Sequence, residues 1–65
     1  VEPHQERVVA EEAQLVERLD KLEAFLHDDR FVKLADEDKE LLERQVRLMR
    51  EYADILKERI ARFAI

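Results

Sequence analysis

The chain has 65 residues, a net charge of -5 and 45% charged residues, with no Gly, no Cys, no Trp and a single Pro. At that length it is one small domain at most, and below roughly 70–80 residues stability usually needs disulfides, a metal or oligomerisation. The lack of Cys excludes disulfides and a Cys/His zinc site, which leaves self-association, and the acidic balance argues against non-specific binding of DNA or RNA, which rests on neutralising many phosphates.

Pro3 suits the first turn of a helix, where its missing N–H costs nothing, and Glu2 and Glu6 favour the positive end of the helix dipole. A helix is predicted over about residues 3–27. Val8, Leu15, Leu19, Leu22 and Leu26 share one strip of it, which Glu12 interrupts, and Val9, Ala13 and Val16 form a second, shorter strip. Asp28, Asp29 and Arg30 break the pattern. Phe31, Val32 and Leu34 follow as an apolar cluster able to cap the end of a hairpin.

Asp36 is the expected N-cap of a second helix over about residues 36–63, with Glu37, Asp38 and Glu40 in its first turn. That helix would be roughly 40 Å long at 1.5 Å per residue. A connection of about eight residues makes the two helices antiparallel neighbours. The second helix carries two apolar seams. Leu42, Val46, Met49, Ala53, Leu56, Ile60 and Phe63 recur at steps of four and three, and Leu41, Leu48, Tyr52 and Ile55 lie on a neighbouring strip. The first helix has about one seam to offer, so the second calls for another chain. The expected fold is therefore all-α: an antiparallel helical hairpin with a short connecting turn, one domain over residues 1–65, assembled into a homo-oligomeric helical bundle.

Antiparallel packing brings residues 3–9 beside residues 56–65, which gathers His4, Arg7, Lys57, Arg59 and Arg62 at one end. Asp28, Asp29, Asp36, Glu37, Asp38 and Glu40 collect at the other. The guanidinium groups of Arg7, Arg59 and Arg62 have the planar fork that fits phosphate oxygens. The ordinary reading of the same residues is pairing with nearby carboxylates and, for Arg62, a favourable place at the negative end of the helix dipole. Arg44, Arg47 and Arg50 form a basic stripe whose neighbours Glu40, Glu43, Glu51 and Asp54 suggest solvated intrahelical pairs.

The chain contains no Ser, Thr or Cys, so no nucleophile–His arrangement can be built, and no glycine loop is available to cradle a nucleotide. His4 and His27 are too far apart in a hairpin to share a metal. No catalytic residue, metal or cofactor is expected. No run of about 18 apolar residues exists, and the polar, acidic N-terminal region lacks signal-peptide character, so the expectation is a soluble cytoplasmic protein without membrane contact.

The string His4-Gln5-Glu6-Arg7-Val8-Val9 is followed by Lys21-Leu22, Phe25-Leu26, Phe31 and Leu34. Leu41-Leu42, Gln45, Met49, Tyr52, Ile55-Leu56 and Arg59-Ile60-Ala61-Arg62-Phe63 come next. In order and spacing this resembles, over almost the whole chain, the small phage-encoded anti-CBASS sponges, whose hairpin domain is shared with the anti-Thoeris sponges. The resemblance implies a compact homohexamer that is not an enzyme and that sequesters cyclic oligonucleotide second messengers made by bacterial immune synthases. It implies cyclic dinucleotides between the N-terminal helices of paired protomers, and cyclic trinucleotides where three protomers meet. Lys21 then resembles the family's phosphate-binding lysine, and Arg62, with Arg59 as the alternative, resembles the arginine at the three-fold site.

One position departs from the pattern. Relatives place an aromatic residue near the start of the first helix, to stack on a base, where this chain reads His4-Gln5-Glu6-Arg7. His4 can stack and Arg7 can stack or clamp phosphate, but Glu6 repels a phosphodiester, which weighs towards cyclic trinucleotides. A structural or protein-interaction hairpin, such as a coiled-coil adaptor with no small-molecule ligand, accounts for the apolar positions equally well.

Overall fold

The computed structural model describes residues 2–64. Helix α1 spans Pro3–Leu26, with Pro3 in its first turn as the sequence predicts. Glu2 caps it, and the Glu2 backbone N–H donates to Gln5 Oε1 at 3.4 Å. The helix ends at Leu26, one residue earlier than expected, with His27 as its C-cap, whose N–H donates to the Ala24 carbonyl at 3.1 Å.

The connection is more ordered than its broken pattern suggests. Asp28 acts as an N-cap, accepting from the Arg30 N–H at 2.8 Å, and a single-turn helix α2 follows over Asp29–Val32. The Asp28 carboxylate also accepts from Arg30 Nε at 3.0 Å and Nη2 at 3.2 Å. These bonds hold the Asp28 carboxyl below the usual aspartate range and raise Arg30 above the usual arginine range. The same guanidinium lies 5.4 Å from the Phe25 ring centre, and Phe25 meets Phe31 edge to face at 6.2 Å. Phe31 and Leu34 are half-buried and close the hairpin end, whereas Val32, expected in the same cluster, is exposed.

Helix α3 spans Asp36–Ala61. Its N-cap is Ala35, not Asp36. Asp36 is the first helical residue and joins Glu37 and Asp38 in an acidic first turn, where the helix dipole favours negative charge without a capping bond. The α-helix stops at Ala61 and tightens into a 3-10 turn over Arg62–Ala64, so Phe63 lies beyond the regular helix.

The predicted first seam is the core. Val8, Leu15 and Leu19 of α1 are buried with Val46, Ala53 and Leu56 of α3, and Leu56 is fully enclosed. Val16, Met49, Ile60 and Phe63 pack along the edges. Glu12, the charged interruption in the α1 strip, is only half-buried. Two helices alone make a slender body of 47 × 14 × 14 Å, which leaves one flank of α3 without cover.

Candidate functional site: a cationic end and an open seam

Pairing α1 with α3 in opposite directions places Arg7 at the same end as Arg59 and Arg62. All three are exposed, and none forms an ion pair among the described residues. His4 sits at this end too, with Nδ1 3.2 Å from a Glu2 carboxylate oxygen, an arrangement that binds charge only when the imidazole is protonated. Lys57 adds a further exposed cation. The end therefore presents a group of exposed cationic side chains.

Lys21 does not join them. It lies fourteen residues beyond Arg7 on the same helix, roughly 21 Å along the axis at 1.5 Å per residue. Its ammonium pairs with Glu17 at 3.2 Å, one turn back, and both side chains are exposed. Within one chain the candidate ligand residues thus form two separate groups, with Lys21 in one and His4, Arg7, Arg59 and Arg62 in the other.

The basic stripe on α3 corrects the expectation of intrahelical pairing. Arg50 reaches across to α1 and binds Glu23, with Nη2 to Oε2 at 3.0 Å and Nε to Oε1 at 3.3 Å. That pair lowers the Glu23 pKa, chiefly through the hydrogen bonds, and raises that of Arg50. Arg44 and Arg47 form no ion pair among the described residues. Tyr52 makes a second cross-helix bond, its hydroxyl donating to Glu11. Sequence reasoning missed both links. Charge spacing along one helix favours i,i+3 and i,i+4 partners, while these links depend on the register between helices.

The predicted second seam is bare. Leu41 is 57% exposed, Leu48 60%, Tyr52 43% and Ile55 52%. Val9 on α1 is also exposed, but Val16 packs against the core, so the α1 contribution to this face is smaller than expected. Between Leu41, Arg44, Gln45, Leu48, Met49 and Tyr52 lies an open groove of about 450 Å³. Its lining is mostly apolar, and the polar side chains among the lining residues are Arg44, Gln45 and Tyr52. Among the described residues no cluster of His and carboxylate side chains could hold a metal ion, and no helix is long and apolar enough to cross a membrane.

One closed seam, one open seam and cations collected at the open end define a charged all-α hairpin whose candidate site residues lie on its outside. The chain belongs to the Sequestin family, whose family model matches residues 2–62 and so takes in α1, α2 and α3 together. The match agrees with the resemblance to the phage-encoded sponges, and the family name denotes sequestration. Neither a curated protein nor a solved structure matches the chain.

Proposed function

We propose that the protein is a sponge: a homo-oligomer that captures cyclic oligonucleotide second messengers at its subunit boundaries and withholds them, uncleaved, from their effectors. The setting is the cytoplasm of a phage-infected bacterium. The observation that carries this reading is the family match over nearly the whole hairpin. The cationic end supplies fitting chemistry, because Arg7, Arg59 and Arg62 have no carboxylate partner to give up among the described residues. In a symmetric assembly one such end per protomer would meet a small ring of phosphates. Each charge-assisted hydrogen bond there contributes roughly 1.5–3 kcal/mol.

In this reading Arg62, with Arg59 as the alternative, serves cyclic trinucleotides, and Lys21 serves cyclic dinucleotides in a separate place. Capture without cleavage follows from cationic donors in a chain with no Ser, Thr or Cys to act as a nucleophile. A coiled-coil adaptor remains the second reading, favoured by the open seam of Leu41, Leu48, Tyr52 and Ile55, which any helical partner could cover. Calorimetry and thermal shift against cyclic di- and trinucleotides separate the two. A ligand at about 100 times its dissociation constant should stabilise the fold by roughly 2.7 kcal/mol. No binding to any of them would leave the adaptor.

A further inference from the structure

Helix geometry offers Arg7 a single carboxylate. The positions three and four residues away from it on α1 are Pro3, His4, Ala10 and Glu11, so Glu11 is its natural partner. Pairs of this kind form elsewhere in the chain: Glu17 holds Lys21 at 3.2 Å, and Asp36 meets Lys39 at 4.0 Å. Arg7 and Glu11 do not pair. The order of Arg before Glu weakens an i,i+4 pair without abolishing it. The structure supplies a second cause. Tyr52 of α3 takes the Glu11 carboxylate, its hydroxyl donating to Oε1.

The same bond locates the cations around it. Tyr52 and Glu11 meet on one flank of the hairpin, and their level fixes that of their neighbours. Arg7 lies one turn from Glu11 towards the cationic end, roughly 6 Å along α1 at 1.5 Å per residue. Arg59 lies two turns from Tyr52 on the same strip of α3, roughly 10 Å in the same direction, because the helices are antiparallel. The two arginines therefore share one flank, at levels roughly 4–5 Å apart along the axis. Both are exposed. Arg59 has no carboxylate three or four residues away, where the chain reads Ile55, Leu56, Arg62 and Phe63.

We propose that Tyr52 is a positioning residue: its hydroxyl holds the Glu11 carboxylate away from Arg7, which leaves Arg7 and Arg59 together as a clamp for a phosphate-bearing anion. For the ligand this rests on the anion capture of the proposed function; for the geometry it rests on the hairpin alone. A phosphate oxygen then meets the Arg7 guanidinium without first displacing a carboxylate, and the planar forks of two arginines can each give it two donors. Tyr52 itself need not touch the anion. Its ring lines the groove beside Leu48 and Met49, while its hydroxyl reaches α1.

Tyr52→Phe keeps the ring and removes only the hydroxyl, and circular dichroism checks that each variant stays as helical as the parent. With Glu11 released to Arg7, calorimetry at low salt should show inorganic tripolyphosphate binding about two-fold more weakly, the scale of one i,i+4 pair. The same substitution should have no effect in a chain that also carries Glu11→Gln. A merely structural role for Tyr52 would survive the loss of the carboxylate, so equal weakening in both backgrounds would overturn the proposal, as would no weakening in the first. Arg7 can also be followed without any ligand. In nitrogen-15 NMR its Nε–H resonance should move in Tyr52→Phe and return when Glu11→Gln is added. An unmoved resonance would overturn the proposal even where tripolyphosphate binds too weakly to measure. The expected NMR pattern in a protein that binds no cyclic di- or trinucleotide would sink the sponge and keep the role of Tyr52. Cyclic nucleotide binding with an unmoved Arg7 resonance would do the reverse.

Discussion

Arg50 of α3 holds Glu23 of α1 through two hydrogen bonds, at 3.0 and 3.3 Å, and so ties the two helices near the hairpin's closed end. The folded pKa of Glu23 lies below its unfolded value. Stability from the pair is therefore complete above the ordinary glutamate range and fades as pH falls through the lowered value. Melting temperature measured across the acid limb should fall less in Glu23→Gln than in the parent, and added salt should narrow the difference. Parallel acid limbs for parent and variant would show that the pair contributes nothing.

Leu56 is fully enclosed between the helices, with Ala53 and Val8 in the same cluster. Leu56→Ala should cost about 2–5 kcal/mol. A chain of this size commands only about 3–10 kcal/mol in total, at roughly 0.05–0.15 kcal/mol per residue. Circular dichroism should show the variant largely unfolded at 37 °C or with a steeply reduced melting temperature. Retention of the parent's melting temperature would contradict the packing around this residue.

Self-association should be visible directly. Burying a Leu or Ile side chain contributes roughly 1.5–3 kcal/mol, so Leu41, Leu48 and Ile55 represent a large unused term in a lone hairpin. Light scattering at micromolar concentration should give a mass well above 7.8 kDa. A folded species of single-chain mass would end the oligomer reading.

The two groups of candidate ligand residues should separate by ligand. Arg62→Ala should abolish or greatly weaken cyclic trinucleotide binding, because one substitution deletes every symmetry copy, while light scattering shows the oligomer intact. Lys21→Ala should impair cyclic dinucleotide binding instead. Calorimetry on each variant reads the split, and unchanged trinucleotide affinity in Arg62→Ala would transfer the role to Arg59.

Captured ligand should come back unchanged. Incubation with the protein should deplete free cyclic oligonucleotide, and heat denaturation should return it intact on chromatography. Linear products formed in proportion to protein would reveal a catalytic site built without Ser, Thr or Cys.

Local chemistry and periodicity by themselves determined the two long helices, their antiparallel pairing and the identity of the buried seam. Pro3 marks the start of α1, and the four-and-three spacing of Val46, Ala53 and Leu56 needs only helix geometry to predict a common face. The gathering of Arg7, Arg59 and Arg62 at one end followed from chain reversal alone. Tertiary structure decided what depends on distance across the helix pair. It turned Arg50 towards Glu23 instead of a neighbour on its own helix, joined Tyr52 to Glu11, and drew Val16 into the core while Val9 stayed outside. It also made a helical turn of Asp29–Val32, because the Asp28 carboxylate could accept the Arg30 N–H while Arg30 lay over Phe25. Periodicity reports which side of a helix a residue occupies. Partners across the hairpin depend on the axial register and on side-chain reach, and only the packed pair of helices sets those.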